Sequence, residues 1–411
     1  MEKQKNKQKG ITLIALVVTI VVLIILAGVS INMLVGENGI INMAQKAKEN
    51  TELAQVEEEK NLNTLHDILQ TSGEIVILDK TVEEMRAEGA YVQGNTSIQD
   101  NRGNKVVIPN GFKIAEDSGI NVSEGIVIED NDRTEDGNGE EKGNQFVWIP
   151  VSNINHDGSN QITKTDGSQV EITLGRYTFL EDGTENLVQM GENYEEESII
   201  SSYYQELVES RNSNQSEESD GTNTTAKNLS EFIRSVKENG GYYIARYEAS
   251  YRDGIKPYSK VSVTANEENS KIDGKLWNLV TQSEAAQAAR NMYTNSFFES
   301  DLLNSYAWDT AISYIQKCSN NTDYSIQNSL NNTTISNTGK TGDEVCKIND
   351  MASNLSEWST EYSMDSVDST AYPCVDRGGT YYTEGDLAHY RGSSRYNANY
   401  AAFGFRVLIY I

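Results

Sequence analysis

The side chains able to do chemistry are few, and their spacing separates catalysis from recognition. Histidine occurs at His66, His156 and His389, and none is grouped with a serine or cysteine and a carboxylate as an activated nucleophile requires. Only His389, beside Tyr390 and Arg391, stands in a suggestive setting. No phosphate-cradling glycine loop, dinucleotide fingerprint or zinc-ligand spacing occurs. The three cysteines, Cys318, Cys346 and Cys374, lie in the last quarter of the chain. An odd number leaves at least one unpaired in a monomer, and no choice of partners follows from the sequence. The acidic run EDNDRTEDGNGEEK at 129–142 is dense in oxygen donors. It lacks the ordered aspartates, glycine and terminal glutamate of a helix-loop-helix calcium site, and is read as a solvated loop. The richest patch is YYTEGDLAHYRGSSRYNANYAA at 381–402. Tyrosine offers aromatic area at low entropic cost, while Asn, Ser, Gly and Arg offer adaptable hydrogen bonds, which is the chemistry of a recognition surface. The candidate ligand-binding residues are therefore Tyr381, Tyr382, His389, Tyr390, Arg391, Arg395, Tyr396, Asn397, Asn399 and Tyr400.

These residues must be positioned by a sizeable scaffold. A chain of 411 residues holds about two or three units with cores of their own. A net charge of -27, from 61 acidic and 34 basic residues, argues against a nucleic-acid partner, which needs a cationic footprint. With only 37% hydrophobic residues and abundant Asn, Ser, Thr, Tyr and Gly, the composition suits a secreted chain rich in strands and loops.

At the N-terminus Lys3, Lys5, Lys7 and Lys9 precede a run, 11–36, without a charged side chain. Such a run is long enough to cross a bilayer as a helix, which needs about 20 apolar residues, and the basic flank predicts a cytoplasmic N-terminus. The expectation is a single-pass membrane protein with an extracellular C-terminal domain. The segment 40–69 has no Gly or Pro and is rich in strong helix formers, so it predicts an outward extension of that helix. At the junction the residues read KGITLIAL, 9–16, which resembles the type IV prepilin leader. That resemblance implies cleavage between Gly10 and Ile11 by a prepilin peptidase, methylation of Ile11, and partners that include the membrane and other pilin-like subunits, with incorporation in a pilus. Ala15 stands where pilins usually carry glutamate, which favours a minor, tip or simply anchored pilin-like protein over a major subunit. An uncleaved single-span anchor is the alternative.

Between 72 and 151 short alternating runs such as GEIVILDK, EGIVIEDNDR and GNQFVWIPV predict strands and hairpins. Segment 181–228 is dominated by Glu, Ser, Asn and Gly and reads as a flexible insertion. LSEFIRSVKENGG then predicts a short helix closed by Gly240 and Gly241, handing over to a strand, YYIARYEAS.

Further on the motifs GGYYIARYEAS, TQSEAAQAARNMY, SYAWDTAISYIQ, KINDMASNLSEWSTEY, DRGGTYY and AAFGFRVLIY follow in order. Together, over roughly 140–411, they resemble the formylglycine-generating-enzyme-like, sulfatase-modifying-factor family, whose fold is a variant of the C-type lectin fold. The fold class expected is α+β: a long N-terminal transmembrane, pilin-like helix, a β-rich region, and a C-type-lectin-like domain. The expected boundaries are 1–10 leader, 11–70 helix, 72–139 β-hairpin region and 140–411 lectin-fold domain, with the insertion near 181–228. In oxidase members of the family two cysteines bind copper, and the local match places them at Leu387 and Gly392, neither a thiol. No copper and no oxidase activity are therefore expected. Relatives also bind calcium at positions that map to Asp350, Ser353, Leu355 and Glu357; Ser353 replaces a glycine of the family motif. Calcium there competes with Asp350 and Glu357 capping turns. The implied function is a non-catalytic, lectin-like domain that binds an extracellular protein or glycan in adhesion or recognition. The same fold serves target proteins of diversity-generating retroelements, with which the 381–400 segment is compatible. The alternative is a cell-surface enzyme of this superfamily with a non-oxidase activity.

Overall fold

The computed structural model describes residues 17–26, 48, 75–152, 161–190, 204–205, 229–252, 256–262, 271–328, 334–363, 374–383 and 386–411. The chain divides into two compact units, with the boundary between Thr71 and Ser72. In the first unit the described helical stretch is 17–26. At 1.5 Å per residue it rises about 15 Å, half of the roughly 30 Å hydrocarbon core of a bilayer. Among the described residues no helix is long and apolar enough to cross a membrane. This corrects the expected long transmembrane helix, the membrane assignment and the single-pass topology with a cytoplasmic N-terminus and extracellular C-terminal domain. An uncharged run limits what could be buried in lipid; it does not by itself make one continuous helix. Gly10, Ile11, Ala15 and the expected helix extension over 40–69, apart from residue 48, lie outside the described residues.

The second unit is built from sheets. Strands β1 (Val76–Thr81), β2 (Thr96–Gln99) and β3 (Lys105–Ile108) form one sheet, and helix α1 (Val82–Glu88) makes the crossover that the parallel β1–β2 pair requires. Thr81 and Glu84 start α1 as a capping box, each satisfying a backbone donor of the other. The chain continues through strands β4 (Phe112–Ile114), β5 (Val127–Asp130), β6 (Gln145–Pro150), β7 (Gly175–Phe179) and β8 (Glu185–Met190) to helix α2 (Leu229–Asn239). Strand β9 (Gly241–Ala245), helix α3 (Gln282–Met292), strand β10 (Glu299–Leu302) and helix α4 (Ser305–Cys318) follow. Strands β11 (Ser356–Ser363), β12 (Cys374–Arg377), β13 (Arg391–Ser394), β14 (Phe403–Phe405) and β15 (Val407–Tyr410) complete the fold.

Six strands form an antiparallel sheet in the order β10-β15-β9-β6-β5-β4, so segments on both sides of residue 140 share one sheet. Strands β6, β9 and β15 are buried throughout, which explains their near-continuous apolar runs. Tyr242 and Tyr243 point to opposite faces, as neighbours in a strand must. The Tyr242 hydroxyl donates to Ala307 O of α4 (2.7 Å), while that of Tyr243 donates to Val107 O of β3 (2.9 Å). Helix α2 buries Leu229, Phe232, Ile233 and Val236, a helical stripe. Phe232 sets its ring edge-on against Tyr242 (5.3 Å) and Tyr410 (5.5 Å). Gly240, at φ +78°, closes the helix, and a Cβ on Gly241 would stand 2.7 Å from the Trp148 ring, so the turn into β9 admits only glycine.

The second large sheet runs β11-β12-β13, with β14 parallel to the start of β11 and Tyr204–Gln205 paired with its end. Within the expected insertion, then, β8 and this short strand are described, while 191–203 and 206–228 lie outside the described residues. Trp358 anchors the sheet: its ring packs on Phe403 (4.7 Å) and its Nε1 donates to Val280 O (2.7 Å). Trp308 of α4 likewise donates to Ala388 O (3.0 Å), tying the helix to the segment that leads into β13.

Candidate functional site

The tyrosine-rich segment 381–402 rests on a base of buried charge. Five side chains from five elements converge: Arg176 (β7), Asp309 (α4), Glu361 (β11), Arg377 (β12) and Arg391 (β13), all with buried side chains. Arg377 donates to Asp309 (2.5 Å) and Glu361 (3.2 Å), Arg176 to Glu361 (2.5 Å), and Arg391 to Glu361 (3.1 Å) and to Asp309. Burial by itself would raise both carboxyls, but the arginine charges overcome it and hold Asp309 and Glu361 below their usual range. Arg391, expected at the ligand surface, is therefore a structural cation in this network.

The same guanidiniums order the backbone above them. Arg377 Nε donates to Tyr390 O (2.9 Å), and Gly378 N donates to the same carbonyl (3.3 Å). His389 N and Ala388 N donate to Ser325 O and Gln327 O, each at 3.0 Å. The His389 ring lies half-buried, 5.6 Å from Phe179, and burial together with the Arg377 and Arg391 charges pushes its pKa down. At one end of the segment Tyr381 N donates to Asn354 O (2.9 Å); near the other, Ser356 N donates to Ala402 O (2.9 Å). Both ends are thus tied to one short stretch, 354–356, at the start of β11, which holds the backbone at 381 and 402 close together.

Among the candidates, Tyr382 (61%) and Tyr400 (58%) are exposed, with Arg395, Asn397 and Asn399 exposed beside them. Tyr381, Tyr390 and Tyr396 are half-buried, and the Tyr381 ring meets Tyr382 edge-on at 5.1 Å. Tyr400 packs against Phe403 (5.4 Å) on the sheet beneath.

The four candidate calcium ligands have other roles. Asp350, at φ +68°, accepts from Thr338 Oγ1 (2.6 Å), Gly339 N (2.7 Å) and Thr341 Oγ1. Glu357 is ion-paired to Arg406 (2.6 Å), and Leu355 N and Ser353 Oγ donate to Glu248 and Asp343. The two carboxylates already face protein donors, while Ser353 Oγ and Leu355 N themselves donate; among the described residues no group of three or more His, Cys, Asp or Glu could hold a metal.

Gly392, where the family resemblance places a cysteine, pairs across the ladder with Asp376. A Cβ on Gly392 would lie 2.7 Å from Asp376 Oδ1 and 2.8 Å from its Cγ, and closer still to Oδ2. The carboxylate fills the space a thiol would need. Gly392→Ala is therefore expected to cost about 1–3 kcal/mol through overpacking, read as a lowered denaturation midpoint; an unchanged midpoint would show that Asp376 has room to turn away. Asp309, Glu361 and Asp376 were not anticipated from sequence. A signal existed for Asp309, the one charged residue within SYAWDTAISYI of α4.

Fold and site together define a unit of short helices and mostly β-strands in several sheets, which presents exposed aromatic and amide side chains on a charge-locked base. No family model matches the chain, and no curated protein matches it. A solved structure, the crystal structure of CarF, is similar at 15% identity over 42% of this chain and 87% of that one, with a TM-score of 0.29, too slight a likeness to carry an argument.

Proposed function

We propose that the unit from Ser72 onward is a non-catalytic recognition domain that binds a protein ligand through Tyr382 and Tyr400, with Arg395, Asn397 and Asn399 around them. The observation that carries this reading is two tyrosines left largely exposed on backbone that is pinned at both ends and from below. Aromatic side chains held in place lose little entropy on binding, and tyrosine and arginine are the residues that most often dominate binding energy. The paucity of histidine favours recognition over catalysis: three occur in the chain, and the one in this segment packs its ring on Phe179.

The test is binding of the full chain to a printed array of peptides and folded proteins, followed by affinity measurements on the strongest binder. The double variant Tyr382→Ala, Tyr400→Ala should bind at least about tenfold more weakly, the loss of one or two interface anchors. Its melting temperature should stay near that of the parent, because both rings are exposed. Undiminished binding by the double variant would remove this surface from consideration.

A further inference from the structure

A second site lies away from the tyrosine surface and shares no residue with it. Four elements meet around a cavity of about 330 Å³: the Asn110–Gly111 turn before β4, residues 130–132 after β5, the ribbon carrying Arg252, Lys256 and Pro257, and the end of α3 with its following turn. This volume falls at the lower end of the range of small-molecule pockets, about 300–1,000 Å³. Its lining includes an aromatic cluster, Phe112, Tyr293 and Phe298, with ring centroids 5.2–5.7 Å apart, beside Met292 and Pro257; the two phenylalanines are buried and Tyr293 is half-buried.

The polar lining is rigid and balanced. Asp130 accepts from Asn144 N (2.7 Å), Asn144 Nδ2 (2.8 Å), Asp132 N (3.1 Å) and the Tyr293 hydroxyl (2.6 Å), so this buried acid holds the walls in place. Asp132 is ion-paired with Arg252, and Lys256 supplies a second cation, so two carboxylates face two cations and the cavity has no formal net charge. Asn110 Oδ1 already accepts from Gly94 N (2.6 Å), and Asn295 Oδ1 from Phe297 N (2.8 Å) and Phe298 N (3.1 Å). Their amide nitrogens make no hydrogen bond among the described residues. With Asn131 and Lys256 they leave hydrogen-bonding capacity on the rim.

We infer that this cleft binds a neutral sugar ring. A hexose combines an apolar C–H face, which suits the half-buried Tyr293 ring, with an edge of hydroxyls that accept from amides and donate to carboxylates. Phosphate, carboxylate or ammonium ligands would find no matching excess of charge.

The experiment is saturation-transfer NMR on the full chain with glucose, galactose, mannose and N-acetylglucosamine, and with glucosamine and glucuronate as charged counterparts. At least one neutral sugar should receive saturation, more strongly than either charged one. Asn131 is exposed and its side chain caps no element, so Asn131→Trp should fill the cleft without disturbing the fold and weaken binding at least tenfold. Lys256→Trp, from the opposite wall, should do the same should the first variant melt early. The double variant Tyr382→Ala, Tyr400→Ala should bind the sugar as the parent does, which separates this site from the tyrosine surface. No transfer to any neutral sugar, equal binding by both tryptophan variants, or preference for a charged sugar would overturn the assignment.

Discussion

Arg377→Met should lower the stability of the protein by about 3–5 kcal/mol, the cost of leaving buried charge without its partner. The guanidinium lies between Asp309 (2.5 Å) and Glu361 (3.2 Å), braces Tyr390 O (2.9 Å), and stacks 5.4 Å from the Trp308 ring. Methionine preserves length and the Trp308 contact, so the loss reports the charge and its hydrogen bonds and not a cavity. Arg176 and Arg391 still reach the two carboxylates, which keeps the expected cost within this range and below that of two bare anions. Total stabilities of about 5–15 kcal/mol make such a loss large. In a thermal melt it should appear as a drop of roughly 4–7 °C for a unit of this size; a drop under about 2 °C would mean that the network contributes little beyond what hydrophobic packing supplies. The same variant should loosen the backbone at Tyr390, so amide exchange at 388–391 should accelerate.

Asp376→Asn should act in the opposite direction, increasingly so as pH rises from about 4 to about 7. Asp376 is 4% exposed, and burial, with the Asp386 charge acting the same way, pushes its carboxyl up to about 7. Unlike Asp309, Glu361 and Glu357, it has no cation paired with it among the described residues; the Ser394 hydroxyl donates to it at 3.4 Å. In the unfolded chain an aspartate titrates near 3.9. Between roughly pH 4 and 7 the folded protein therefore holds a proton that the unfolded chain has released, and stability falls as pH rises. The contribution is fully present below about pH 4 and is lost as pH rises through about 7, a decline on the order of 4 kcal/mol at most. Asparagine has the same shape without the charge. The variant should match the parent near pH 4 and exceed it at pH 8, and denaturant midpoints across this interval measure the difference. Parallel pH profiles for the two proteins would show that the buried acid finds relief by another route. Asp350, pushed up to about 6 by burial, adds a decline of the same sign that survives in the variant.

What the sequence by itself determined is local. Helix α2 and its glycine stop, strand β9 after it, and the capping box that starts α3 depend on residues within a few positions of one another, and periodicity and capping express such relations directly. The polar and aromatic composition of the tyrosine segment was legible for the same reason, since it is carried by residue type. The apolar run near the N-terminus showed hydropathy but not helix length, and the described helix there is short. Tertiary structure alone decided the rest. Arg391 reads as a ligand contact until Asp309, 82 residues away in sequence, and Glu361 claim its guanidinium. Gly392 reads as a missing thiol until Asp376 is seen across the ladder, filling the space above it. Asp350 and Glu357 read as metal ligands until their donors arrive from Thr338, Gly339, Thr341 and Arg406. The cleft draws on four separate elements, and no spacing in the sequence records it. In each case the deciding partner is distant along the chain, and a buried charge takes its role from whatever the fold places within hydrogen-bonding reach.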